Sequence, residues 1–437
     1  MMKKTMAIVL SMCFLCGMLF TGCGKVEQTN EELTIYIRGQ SSDMMEMAAS
    51  IFQETYPDVE VHIIDGNVST DDEGKNELER MEAELMAGKG ADVFMLQRGW
   101  DIEKMIDRGV FADLSPFFDG DPYFQGDQWV QKVFAGGCSG EYRYAIPTEY
   151  GIQVLISSEE AMEESGIDRE KMGDFNGFMD ETLKYIAKED ARSLFRFFLV
   201  PLQCLLWTGY PVIDWEAQTV DLENEQMESF FQWYYAVMRQ MKADNLAGQY
   251  PDAVGIRDGE LLFGNLAWGA PFDTIYTECK LISSYDKPVM IPIRNMGGGI
   301  SAYSVASLGV RGNSKNILNA YRFIQIYMST PVQTSITCRA MGAFKVNREA
   351  QDYIYGIVRD LTFGQEKDGF PAECPPFTEE EYEELMGFME EIDIVEGYDP
   401  NWLNMLGELM TPYVNGECTY EEAVAQAVYE LEIYASE

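Results

Sequence analysis

The chain has 437 residues, a formal net charge of −41 and 46% hydrophobic residues. With 24 Phe and 24 Tyr this describes a folded globular protein, and its length exceeds what one hydrophobic core usually serves, so two domains are expected. So acidic a surface repels nucleic acid and anionic lipid headgroups, which removes both as partners, and a single histidine, His62, rules out multi-histidine zinc sites and HExxH proteases.

At the N-terminus, Lys3 and Lys4 are followed by an apolar stretch from Thr5 to Phe20, too short to span a bilayer comfortably. Phe20-Thr21-Gly22-Cys23 then resembles the bacterial lipobox, in which small residues admit the peptidase and the cysteine thiol receives diacylglycerol. Residues 1–22 are therefore expected to be an export signal, and Cys23 the lipidated first residue of the mature protein. Cys13 and Cys16 lack the small residues in front, so Cys23 is the better acceptor. Its acyl chains would hold the protein on the extracytoplasmic face of the cell membrane, with the polar residues 23–32 as a tether.

Leu33-Thr34-Ile35-Tyr36-Ile37 alternates and predicts a strand. Ser41 or Ser42 caps a helix whose Met44, Met47, Ala48, Ile51 and Phe52 share one face. After Tyr56-Pro57-Asp58 a second strand runs to Ile64, with Val59, Val61 and Ile63 inward and His62 outward. A loop (66–74) leads to a helix near 76–87, ended by Gly88-Lys89-Gly90, and Ala91 to Leu96 is a short buried strand. Such alternation implies a mostly parallel sheet covered by helices. Residues 101–109 read as a helix and Leu114 to Phe118 as a loop. Tyr144-Ala145-Ile146-Pro147 precedes a strand around 151–157.

The region 158–245 is mostly helical, with helix starts at Asp168 and Asp174 and an amphipathic helix from Leu222 to Met241. Beyond Pro288 to Pro292, Gly297-Gly298-Gly299 reads as a flexible link. Val305 to Val310 is a strand, 314–329 a helix, 378–396 an acidic helix and 419–435 the closing helix. Cys138, Cys204, Cys279, Cys338, Cys374 and Cys418 form no CxxC pair, and free thiols explain them as well as disulfides do. No P-loop or GxGxxG fingerprint is present, and the acids of 69–74 fail as an EF-hand loop because Arg80 stands where a Glu is required. No obligatory metal and no cofactor are expected.

Five segments share an order and spacing: Phe52-x-x-x-Tyr56-Pro57-Asp58-Val59-x-Val61, Glu84-Leu85-Met86-Ala87-Gly88-x-Gly90-x-Asp92-Val93, Gly109 to Ser115, Tyr144 to Pro147, and Asp258 to Trp268. Together they resemble the extracellular solute-binding proteins of ABC importers, in the carbohydrate-type group that includes maltose-binding protein. One departure is Leu262, where the family commonly has Met. The resemblance implies a two-lobed, periplasmic-binding-protein-like (type II) α/β fold, with ligand between lobes joined by three crossings. Fitted to this chain, lobe one is 32–148 plus 298–343 and lobe two 149–297 plus 344–437.

Ligands of open α/β sheets sit at the carboxyl ends of strands. The candidate ligand-binding residues are accordingly Arg38 and Gln40 after the first strand, Arg98 and Trp100 after the third, Glu149 and Tyr150 at the first crossing, Trp268 in lobe two, Tyr303 at the second crossing, and Trp402 in the closing region. Aromatic rings cover the apolar faces of a sugar, while Arg, Gln and Glu satisfy its hydroxyls. Trp100 and Trp268 gain weight because the resemblance places ligand contacts at those segments. Trp129, Trp207, Trp215 and Trp233 read as core or surface, and Arg38 and Arg98 suit interlobe salt bridges equally well.

The expected function is that of a lipid-anchored, non-enzymatic monomer that captures a small solute, a carbohydrate by preference, and delivers it to ABC permease subunits in the membrane. Two rivals are a secreted glycan-active hydrolase, which needs two carboxylates about 5–10 Å apart, and a ligand-sensing subunit of a membrane signalling system. Peptides, polyols and cationic solutes stay open as cargo.

Overall fold

Alternating apolar residues build β1 (Glu32–Arg38), and helical periodicity lays the helix Ser42–Thr55 against it. The computed structural model describes residues 32–38, 42–66, 72–96, 105–106, 108–196, 202–244, 251–264, 271–335, 342–362, 369–396 and 400–436. The expected signal, Cys23 and the tether up to residue 31 lie outside them. β2 (Glu60–Gly66) and β3 (Val93–Leu96) flank β1 and run parallel to it. Leu33, Ile35 and Ile37 are buried on one face with Met44, Ala48 and Phe52. Tyr36, Phe94 and Leu96 are buried on the other with Met81 and Leu85. Burial on both faces is why Val93 to Leu96 is an unbroken apolar run, and fully sequestering a side chain such as Phe52 contributes about 1.5–3 kcal/mol.

A short hairpin, β4 (Cys138–Ser139) and β5 (Tyr142–Arg143), leads into β6 (Ala145–Ile152), every residue of which is buried. β7 (Val154–Ser158) continues from it into a second body of structure. There, after the small hairpin β8 (Ile213–Asp214) and β9 (Thr219–Val220), comes β10 (Pro288–Pro292), antiparallel to β7. Single bridges from Ile156 to Gly264 and from Ser193 to Leu261 widen that smaller sheet. Its helical cover centres on Phe175, Phe178, Phe230 and Trp233, and the Trp233 indole donates to Thr182 Oγ1 at 2.9 Å. The chain returns through β11 (Ile300–Val310), β12 (Phe344–Lys345) and β13 (Ile392–Glu396). The large sheet has the order β12-β6-β11-β3-β1-β2, with β13 also on β11.

Most expected elements are present. The helix Glu225–Asp244 buries Met227, Phe230, Phe231 and Tyr234, and Asp174 caps Phe175–Ile186 through Gly177 N. His62 is exposed, as expected.

Four segments differ. Ser115–Phe118 is a short helix with Pro116 in its first turn, where a missing N–H costs nothing, and not a loop. β6 begins six residues earlier than expected and contains Pro147. The proline is tolerated because it sits at a bulge: Tyr150 pairs with Ser304, Glu149 with Ala306 and Pro147 with Ser307, leaving Val305 and Thr148 each as an extra residue. The acidic helix stops at Met389, and Ile392–Glu396 is a strand, since its alternating β-branched residues complete the edge of β11. The triple glycine is a hydrogen-bonded turn, not a free link. Asn295 N donates to Gly299 O at 2.8 Å, Gly298 N donates to Asn295 O at 3.0 Å, and Gly298 adopts φ +88°.

Among the described residues Cys138, Cys204, Cys279, Cys374 and Cys418 are free thiols; Cys338 lies outside them. No helix among the described residues is long and apolar enough to cross a membrane.

Candidate ligand cleft

β3 and β13 lie along the same side of β11 and run toward one another. β3 is antiparallel to β11 and ends with Leu96 opposite Ser307. β13 is parallel to it and ends with Glu396 opposite Tyr303. Their carboxyl ends therefore face each other across Ser304–Ala306. Ser304 and Val305 are the two half-buried positions of an otherwise buried strand. β1 and β2, parallel to β3, end at the same edge with Arg38 and Gly66.

β7 leaves the crossing, so the antiparallel β10 and the segment through Gly264 run back toward it. The segment through Ser193 runs parallel to Leu261 and is directed to the same side. Carboxyl ends of strands from both bodies are thus directed toward the crossing that carries the bulge of β11, the geometry in which open α/β sheets take ligands.

Of the expected site residues, Arg38 closes β1 at this edge, with its side chain outside the described structure. Gln40, Arg98, Trp100 and Trp268 lie outside the described residues. Glu149 and Tyr150 are buried on β6, in register beside Ala306 and Ser304 of β11. Glu149 is 4% exposed and its carboxylate pairs with Lys345 Nζ. Tyr150 is 1% exposed, its ring 5.6 Å from that of Phe344, and burial pushes its hydroxyl pKa up. Tyr303 is buried, lying across Gly151 on β6. Trp402 is half-buried in the first turn of the helix Pro400–Val414, packed on the main core. Tertiary structure therefore brings Glu149, Tyr150 and Tyr303 together where β6 pairs with β11, with Arg38 two strands away at the end of β1.

Two features escaped the sequence reading. One is the Ser304–Val305 floor, where Ser304 Oγ lies 2.7 Å from Ser307 Oγ. The other is a largely buried ionic cluster in the second body, joining Arg196 to the helices Asp252–Arg257 and Pro271–Ile282. Arg196 Nη2 pairs with Asp252 Oδ1 at 2.9 Å. Buried Glu278 accepts from Asp252 N at 3.1 Å and Ala253 N at 2.7 Å, capping the helix Asp252–Arg257. Burial first, then the nearby Asp252 carboxylate, pushes the Glu278 pKa up to about 8. Single serines and acids carry no sequence signal that separates such positions from the many others.

Glu32, Glu60 and His62 bring donor atoms within 4.8 Å of one another, but they are exposed and sit at the amino ends of β1 and β2, the edge opposite the cleft.

A family model, that of the bacterial extracellular solute-binding proteins, matches residues 38–333. The chain belongs to this family. The matched span begins at Arg38, the last residue of β1, and takes in β2, β3, β6, β7, β10 and β11.

Solved structures extend the likeness over nearly the whole solute-binding protein. The cyclic α-maltosyl-1,6-maltose binding protein of Arthrobacter globiformis is 11% identical, with 92% of this chain and 98% of that one covered and a TM-score of 0.59. A periplasmic oligogalacturonide binding protein of Yersinia enterocolitica is 12% identical, with coverage of 93% and 99% and a TM-score of 0.60. A putative oligosaccharide periplasmic-binding protein of Synechococcus sp. MITs9220 is 15% identical, with coverage of 92% and 99% and a TM-score of 0.60. At these identities the likeness establishes the fold: two α/β lobes joined by crossing segments. No curated protein matches the chain.

Proposed function

We propose that this solute-binding protein captures a sugar or oligosaccharide in the cleft above Ser304–Val305 and delivers it to an ABC importer, without catalysis. The observation that carries this reading is the approach of the β3 and β13 carboxyl ends to each other over the half-exposed bulge of β11, with β10 of the smaller sheet directed toward the same crossing. The sugar class is supported by structural relatives that bind a cyclic maltosyl-maltose and an oligogalacturonide. Arg38, Gln40, Arg98, Trp100, Trp268 and Trp402 are the proposed ligand contacts, with Tyr303, Glu149 and Tyr150 supporting the floor. The proposed division is lobe one, 32–148 plus 298–343, and lobe two, 149–297 plus 344–437, except that β12 and β13, inside the last range, pair within the large sheet of lobe one. Lipidation of Cys23 would hold the receptor, as a monomer, at the extracytoplasmic face of the membrane, within reach of the permease.

A thermal-shift screen over sugars, polyamines and short peptides tests the cargo. Ligand at about 100 times its Kd adds roughly 2.7 kcal/mol to apparent stability, so a cognate sugar raises Tm; a polyamine that does so while every sugar fails would defeat the sugar assignment. Oligosaccharide turnover under the same conditions would replace the receptor by a hydrolase. Replacing Cys23 by Ala should release the protein from the cell into the medium.

A further inference from the structure

Glu149 and Lys345 form an ion pair inside the large sheet, with side-chain exposures of 6% and 0%. Desolvating two charges costs about as much as their attraction returns, so stability alone does not account for such a pair. Its position is informative. Lys345 on β12 stands opposite Glu149 on β6, which stands opposite Ala306 on β11. The two extra residues of the crossing, Thr148 and Val305, adjoin this row on neighbouring strands. Bulged strands bend and twist locally, so the row is the stiff point between two bendable ones.

The segment that carries Lys345 is fastened to both lobes. Toward lobe two, Phe272 N donates to Gly342 O at 2.8 Å, and the Phe344 ring lies 5.4 Å from that of Phe272. Toward lobe one, Val130 N donates to Val346 O at 3.0 Å and Arg348 N to Gln128 O at 2.8 Å. Lys345 sits between these attachments, and its own backbone N–H is held by Gln351 Oε1 at 2.9 Å. An apolar contact at this point would permit sliding, whereas a directional ion pair holds one register.

We propose that the Glu149–Lys345 pair is the pivot of interlobe motion: it pins β6 to β12 on the hinge axis while the bulges at Thr148 and Val305 absorb the bending. It thereby limits how far the ligand-free cleft opens. The inference rests on the two-lobed fold and not on the identity of the solute, so the ligand-free protein tests it separately from the cargo assignment.

The test compares the full mature chain with the double variant Glu149→Met/Lys345→Met, which removes both charges and leaves neither unpaired. Small-angle scattering reports the opening, and hydrogen exchange over 145–152 and 300–310 reports the crossing. The double variant should keep a cooperative unfolding transition, scatter as a broader and more open population, and exchange roughly tenfold faster in these two segments, the factor given by about 1.4 kcal/mol of easier opening. Wild-type scattering together with wild-type exchange in a folded double variant overturns the pivot and leaves the pair as packing. Should the double variant not fold, Lys345→Arg carries the test. The bulkier cation displaces the pivot and must alter exchange in the same two segments, and no change there overturns the proposal.

Discussion

Tyr303 lies across Gly151, its register partner on β6, so closely that a β-carbon at 151 would collide with the phenol ring. The aromatic residue fits within the crossing because its neighbour has no side chain. Gly151→Ala should therefore destabilise the protein by about 1–3 kcal/mol, the usual cost of overpacking, read as a lower urea midpoint. Gly120→Ala, where a β-carbon meets nothing within 4 Å, is the control and should leave the midpoint almost unmoved.

Glu278 links stability to pH. Its folded pKa is raised from the ordinary 4.5 to about 8, so the fold favours the protonated form. This contribution is fully present below about pH 4.5 and is lost as the pH rises toward 8. Glu278→Gln cannot ionise, and its amide oxygen can still accept from Ala253 N. Urea midpoints measured between pH 5 and 8 should fall with pH in the wild type more steeply than in the variant. Parallel pH profiles would exclude Glu278 as the source.

Ser304 is half-buried at the floor of the cleft, with its hydroxyl against Ser307. If it meets the solute, Ser304→Ala removes one hydrogen bond worth about 0.5–1.5 kcal/mol and weakens binding by roughly two- to twelvefold. The unfolding midpoint should hardly change, because the position is not fully enclosed. Titration calorimetry with the sugar found by the thermal-shift screen decides this; an unchanged Kd places the solute elsewhere in the cleft.

Thr378 starts the helix Glu379–Met389 with a reciprocal capping box: its hydroxyl accepts from Glu381 N, and the Glu381 carboxylate accepts from Thr378 N at 2.6 Å. Thr378→Ala should cost about 0.5–2 kcal/mol. Because the helix leads into β13, the change should also raise hydrogen exchange over 392–396; a stability loss without that local effect would show that strand and cap are independent.

The alternation of Leu33, Ile35 and Ile37, the helical spacing of Met44 to Phe52 and the apolar run Val93–Leu96 determined the parallel layer by themselves, because side-chain periodicity follows directly from backbone geometry. The segment order from Phe52 to Trp268 was enough to indicate the family. Other features depended on pairing between residues distant in the chain. Whether Pro147 belongs to a strand depends on the bulge opposite Ser307, and whether Ile392–Glu396 forms one depends on the free side of β11. The role of Glu149 shows the limit most clearly. Among 73 acidic residues nothing local distinguishes it, and only the arrival of Lys345, 196 positions away, turns a candidate ligand contact into half of a buried ion pair. Periodicity is a local property and can be read along the chain. The cleft floor and the charge pair beside it are made by register, which exists only once the strands have met.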